Sequence, residues 1–190
     1  MKIHQPAELI EDPNEALQML KEGNERYLSG KLIHKDYCNS DREVYCCGQN
    51  PFAAVLTCSD SRIVPEIFFN QRLGDLFIIR NAGNIVENAT LGSLELAAKF
   101  LKIKLVVVCG HSNCGAVEAS CSNLEFTHNI NHIIKHIKPA VFNGSSIDEV
   151  IHRNIINQAE LIKADEILNN LGVMVVCAYF DIRSGAVTWL

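Results

Sequence analysis

Two patterns of apolar residues alternate along the chain. Short unbroken runs rich in Val, Ile, Leu and Phe read as buried strands: "PFAAVLTCSD" at 51–60, "DLFIIRNAGN" at 75–84, "KLVVVCGH" at 104–111 and "VMVVCAYF" at 173–180. Between them, apolar residues recur every three or four positions, which places them on one face of a helix. Leu91, Leu94, Ala98 and Leu101 predict a helix from Asn88, and Ile130, Ile133, Ile134, Ile137 and Val141 predict another over 130–142. A helix also begins near Cys114. Ser146 and Glu149 form a capping box for a long helix reaching about Leu171, where Gly172 breaks it. Upstream, "EDPNEALQMLKEGNERYLSG" predicts an amphipathic helix capped by Asp12, with Pro13 in the first turn, Glu15 three residues after the cap and a stop at Gly30. Residues 31–50 have no clean period and read as a loop or arm. "AVTWL" at the end adds a short edge strand.

Strands alternating with helices imply an α/β fold. We expect a single domain over 1–190, with a mainly parallel central sheet of four to five strands flanked by helices. An N-terminal helical arm covers 1–30. The amphipathic helix Asp12–Ser29 either reaches over a partner or packs on its own sheet. Such sheets carry their working residues at the carboxyl ends of the strands. Here those ends read "TCSDSR", "IRNAGN" and "CGHSNCG".

Composition narrows the function classes. No apolar run approaches the roughly 20 residues of a membrane span, and the first residues lack the apolar stretch of a secretory signal. The expectation is a cytoplasmic protein with no membrane partner. Net charge is −5 with no Lys/Arg block, which argues against nucleic acid as a partner. In a reducing compartment the eight cysteines point to metal binding, catalysis or burial rather than to disulfides. Cys109 and Cys177 sit inside apolar runs and read as small buried hydrophobes.

The chemistry concentrates in two strand ends. Cys58 closes the first strand; His111 closes the third, and Cys114 follows at a helix start, where the helix N-terminus favours a thiolate. Two thiolates and an imidazole suit Zn²⁺, and three protein ligands leave a fourth position open, as in catalytic sites. A fourth cysteine, Cys109 or Cys121, would instead close a structural site. Asp60, two residues after Cys58, can reach that fourth position or a water there, and Arg62 can hold the carboxylate in a bidentate pair.

"CSDSR" followed by "HSNCG" resembles the β-class carbonic anhydrases. "PFAAVLTCSDSRIVPE", "GDLFIIRNAGN", "GSLELA" and "VVVCGHSNCGAV" are similar to that family's successive blocks, in order, and "AYFDIRSGAV" to its last strand. The resemblance implies one Zn²⁺ per chain on Cys58, His111 and Cys114, with Asp60 and Arg62 as a catalytic dyad. The implied activity is reversible hydration of carbon dioxide to bicarbonate and a proton, by attack of zinc-bound hydroxide. A site with two thiolates and a neutral His sums to zero charge, so activity should rise toward alkaline pH. The resemblance also implies a substrate pocket at Gln49, Phe77 and Leu96, the last replacing a Tyr. It implies a homodimer or a multiple of dimers. The bicarbonate switch of some members uses a Trp, an Arg and a Tyr; this chain has Val55, Arg80 and Phe180 at those places and keeps only the Arg. Alternative readings are a hydrolase of carbon disulfide or carbonyl sulfide on the same scaffold, and a non-catalytic zinc-binding protein. Finally, His128, His132 and His136 recur every four residues. A polar helix face accounts for them; a second metal site or a proton relay are the other readings.

Overall fold

The unbroken apolar runs become the four parallel strands of one five-stranded sheet in the computed structural model, which describes residues 10–33, 46 and 48–190. His34, Cys38 and Cys47 lie outside the described residues. The strands are β1 (Ala53–Cys58), β2 (Leu76–Asn81), β3 (Leu105–His111), β4 (Met174–Phe180) and β5 (Val187–Trp189), in the order β2-β1-β3-β4-β5. The first four run parallel, and β5 pairs antiparallel with β4. Every residue of β1 and β3 is buried, as expected for central strands covered on both faces.

Successive side chains on these strands alternate between two cores. Ala54, Leu56, Val106 and Val108 belong to one, and Val55, Leu105, Val107 and Cys109 to the other. Helices supply the facing layers: α1 (Pro13–Leu28), the single turn α2 (Pro65–Phe68), α3 (Asn88–Phe100), α4 (Gly115–Cys121), α5 (His128–Ile137), α6 (Ile147–Lys163) and α7 (Glu166–Asn170). The first core takes Leu94, Val117, Ile137, Ile151, Ile155 and Ile162 from α3 to α6. Each such buried aliphatic side chain contributes about 1.5–3 kcal/mol before conformational entropy is counted.

Helix α1 starts where its sequence signals place it: the Asp12 carboxylate accepts the Asn14 N–H at 2.8 Å, and Pro13 leads the first turn. Its apolar face lies on its own sheet, the second of the two readings the sequence leaves open. Ala16 and Leu20 join the second core. Asn24 is buried; its side-chain amide donates to the carbonyls of Phe68 and Gly185 and its oxygen accepts Val187 N–H. Gly23 allows this approach, because a β-carbon there would collide with the Phe69 carbonyl.

Two helices end earlier than periodicity predicts. The stripe over 130–142 is α helix only to Ile137, then a 3₁₀ turn over Lys138–Ala140, because Pro139 offers no N–H to continue the ladder. The helix expected to reach Leu171 stops at Lys163. The Asp165 carboxylate accepts Leu168 N–H at 2.9 Å and starts α7 as a separate turn.

Strand order positions the site. The chain leaves β1 for β2 on one side, then returns to lay β3 on the other. The carboxyl ends of β1 and β3 therefore flank a switch point, where the loops diverge and leave a crevice.

Candidate metal centre

Cys58 is the last residue of β1 and His111 the last of β3, so the parallel pairing of these strands sets them side by side. Cys114 is the N-cap of α4. Their ligand atoms lie within 4.8 Å of one another, and the residues are 5%, 0% and 1% exposed. The two sulfurs are 4.0 Å apart. That is far beyond the roughly 2.05 Å of a disulfide. It is close to the edge of a tetrahedron with metal–sulfur bonds of about 2.3 Å, roughly 3.8 Å.

The imidazole is pre-set for a ligand. His111 Nδ1 lies 2.9 Å from the Ser112 carbonyl oxygen, which can only accept, so Nδ1 carries the proton. Nε2 is then the lone-pair nitrogen, and it is buried without a hydrogen-bond partner. A buried polar atom left unpaired costs about 1–3 kcal/mol, and a metal ion satisfies it. Ser112 is itself locked: its N–H donates to the Phe180 carbonyl at 3.0 Å and its hydroxyl accepts Ile182 N–H at 2.9 Å.

The two thiols compete for one negative charge. Donation from Cys114 pulls the Cys58 pKa down, against burial, with the nearby His111 and the backbone of Gly83 and Asp60 adding to the lowering. The Cys114 pKa is pushed up, first by its bond to Cys58, then by burial and by the charge on Cys58. The backbone of Val117 and Ala116 at the helix start does lower it, but not enough. The helix start thus favours the thiolate of Cys114, as the sequence predicts, while the neighbouring Cys58 sulfur and burial oppose it. Two thiolates this close need a dication between them, so the donor set fits Zn²⁺. Among the described residues no fourth Cys, His, Asp or Glu joins the cluster. Cys109 is fully buried and its thiol turns to the Gly110 carbonyl, while Cys121 is half-buried; neither closes the site.

Asp60 and Arg62 stand at the mouth of this cluster. Arg62 Nε donates to Asp60 Oδ1 at 2.9 Å, Nη2 to Oδ2 at 2.7 Å, and the Arg62 N–H to Oδ1 at 3.0 Å. The side chains are 19% and 51% exposed for Asp60 and Arg62. The Arg62 side-chain bonds hold the Asp60 carboxyl well below the usual carboxylate range, with burial acting against them and the Arg62 N–H adding to the lowering. Arg80 shapes the same turn: its Nε donates to the Cys58 carbonyl at 3.2 Å and its Nη2 to the Asp60 carbonyl at 2.7 Å.

Gly83, within the "IRNAGN" strand end, and two amides outside the quoted motifs support the cluster. Gly83 N–H donates to Cys58 Sγ at 3.4 Å from a turn with φ of 76°, where a β-carbon would come within 2.6 Å of Ile137 Cδ1. Asn154 donates to the Gly83 carbonyl at 3.0 Å, and Gln158 accepts Val86 N–H at 2.7 Å. Gln158 also donates to Asn154 at 3.1 Å and to the His136 carbonyl at 3.2 Å. A signal for this network exists in the sequence: two amides four apart interrupt the apolar stripe of Ile151, Ile155, Ala159 and Ile162.

The residues expected as substrate pocket are elsewhere in the single chain. Phe77 pairs with Ala54, four positions before the Asn81–Cys58 pair, so it stands about 13 Å down the strand from the metal end. Gln49 is exposed before β1, and Leu96 is 47% exposed on α3. Val55 and Phe180 are buried, the latter stacked on Phe68 with ring centroids 4.2 Å apart. No described helix is long and apolar enough to cross a membrane.

Comparison with known proteins adds an independent line. The sequence model of the carbonic anhydrase family matches residues 53–187. The chain is 36% identical over 153 residues to carbonic anhydrase 2 of Mycobacterium tuberculosis, spanning 76% of this chain and 74% of that protein. It is 38% identical over 147 residues to the carbonic anhydrase of Mycolicibacterium smegmatis, spanning 73% and 71%. Among solved structures, the β-carbonic anhydrase CcaA superposes with a TM-score of 0.72 at 24% identity, covering 92% of this chain and 94% of that one. A tetrameric β-carbonic anhydrase of Sordaria macrospora superposes with a TM-score of 0.71 at 22% identity, covering 93% and 97%. These two likenesses are of fold.

Proposed function

The chain belongs to the β-class carbonic anhydrase family and is thereby a lyase, and on that premise we propose that it hydrates carbon dioxide reversibly to bicarbonate and a proton. Cys58, His111 and Cys114 hold one Zn²⁺, and Asp60 and Arg62 act as the dyad beside it. Zinc held there supplies Lewis acidity, which makes water nucleophilic near neutral pH.

The observation that carries the reading is the Asp60 carboxylate held on Arg62 next to three buried sulfur and nitrogen donors. A purely structural zinc has no use for that pair. Arg62 keeps Asp60 charged, so Asp60 accepts hydrogen bonds and does not donate them. Oδ1 already receives two N–H groups and Oδ2 one. The remaining lone pair on Oδ2 is therefore the atom that orients the attacking water toward carbon dioxide. Arg80 fixes the backbone under both Cys58 and Asp60, so ligand and acceptor move as one unit. The half-exposed dyad gives the product proton a route to solvent.

Gln49, Phe77 and Leu96 serve the pocket only if a second copy brings them to it, since in one chain Gln49 and Phe77 lie toward the amino ends of the strands. The proposal accordingly includes a homodimer or a multiple of dimers. It also includes a reducing, cytoplasmic setting, because Cys58 and Cys114 bind metal only as thiolates.

Stopped-flow hydration with a pH indicator, on zinc-loaded protein at about pH 8.5, tests the reading. Fast turnover that disappears in Asp60→Asn and Cys58→Ser is the expected result. No turnover with one zinc bound per chain overturns it and turns attention to carbonyl sulfide or carbon disulfide as substrate.

A further inference from the structure

A second set of metal-type donors stands outside the site described above. His132 and His136 sit one turn apart on α5, and Glu87 reaches them from the residue before α3. Their ligand atoms lie within 4.8 Å of one another. His132 Nε2 is 3.2 Å from Glu87 Oε2, and the two imidazole rings meet edge to face with centroids 5.1 Å apart. From the sequence the histidines read as a polar helix face; Glu87 is 45 positions from His132 and no spacing rule connects them.

We propose that Glu87, His132 and His136 bind a borderline divalent transition-metal ion, of the class of Zn²⁺ or Ni²⁺, at a site separate from the catalytic centre. Two imidazoles at i and i+4 on one helix converge on a single ion, and a carboxylate completes a facial set with neutral-to-negative charge. Bonds of about 2.0–2.1 Å require donor atoms roughly 3.4 Å apart. The Glu87–His132 pair already meets this. His136 must close the rest by rotamer change, which its half-buried position and the exposure of His132 permit. Burial, His132 and Lys135 all hold the His136 pKa below its ordinary value, against a weaker pull from Glu87, so the ring competes well for metal near neutral pH. His128, one turn earlier, is not part of the set.

An ion there would clasp α5 to the segment that runs from Gly83 to Glu87. The His136 carbonyl and Val86 N–H already share Gln158 as a partner. The clasp would thus tighten the segment whose Gly83 N–H meets Cys58.

The test is calorimetric titration of Ni²⁺ into tag-free protein carrying one zinc per chain, with zinc content measured afterwards. Wild type should take up one Ni²⁺ per chain while keeping its zinc. His132→Ala and His136→Ala should each weaken Ni²⁺ binding by at least the roughly 10–100-fold that loss of even an outer-shell partner costs. Glu87→Gln should weaken it less, and His128→Ala not at all. All four variants should keep their zinc and their melting temperature. Ni²⁺ uptake that survives in the His132→Ala/His136→Ala double variant, or no uptake by wild type, overturns the proposal.

Discussion

Cys58 and His111 are buried at strand ends and Cys114 at a helix start, whereas Glu87, His132 and His136 sit half-buried or exposed between a loop and a helix. Backbone groups organise the first set: Ser112 fixes the imidazole tautomer, Gly83 donates to Cys58, and the start of α4 faces Cys114. The second set rests on side-chain rotamers alone. A buried donor set is rigid before any ion arrives and suffers when its ion is absent, because its charges and lone pairs have no water. An exposed set must be ordered by the ion and suffers little without it.

His111→Ala should break this contrast most severely. Zinc affinity should fall by more than about 10²-fold, since losing a group that only supports a metal ligand already costs about 10–100-fold, and hydration should fall with it. His136→Ala should leave both unchanged; zinc content and stopped-flow rates compare the two directly.

The amides between the two sets come next. Asn154→Leu removes the donor to the Gly83 carbonyl and the acceptor for Gln158. Leaving buried groups unpaired should cost about 1–3 kcal/mol, read as a lower denaturation midpoint, together with weaker zinc retention.

Acid should separate the sets by window. The folded-state pKa values of Asp60 and His136 are both lowered, so in each case the unfolded chain binds protons first and stability falls as pH falls. For His136 the loss begins as pH drops through its ordinary value near 6.5, and for Asp60 only below about 4. Stability measured against pH should therefore lose its upper step in His136→Gln and have its lower step, which Glu149 and Asp181 share, reduced in Asp60→Asn. A single step left unchanged by both variants would contradict this.

The smallest effect belongs to a residue distant from both sets. Asp12→Ala removes the α1 cap and should cost about 1 kcal/mol, with zinc content and turnover unaltered.

Much of this molecule is legible in one dimension. The unbroken runs of β1 and β3, the cap at Asp12 and the capping box at Ser146 depend on neighbours within a few residues, and each forms where its pattern falls. Cys58, Asp60, Arg62, His111 and Cys114 are legible for a related reason: strand ends in a parallel sheet collect at one edge, so motifs that close strands must meet. Local patterns failed where two local signals competed, as at Asp165, which ends a helix that periodicity would continue.

Long-range partners were decided only by tertiary structure. Sequence spacing carries no information on which loop faces which helix. Glu87 therefore meets His132, Asn154 meets Gly83, and Arg80 meets the carbonyls of Cys58 and Asp60 without any motif to announce them. The placing of Phe77 about 13 Å from the metal end is of the same kind: strand register, which sequence alone does not set, decides which end of the sheet a residue serves. The coupling of the two thiols is likewise a matter of distance, since only the fold brings Cys58 Sγ to 4.0 Å from Cys114 Sγ.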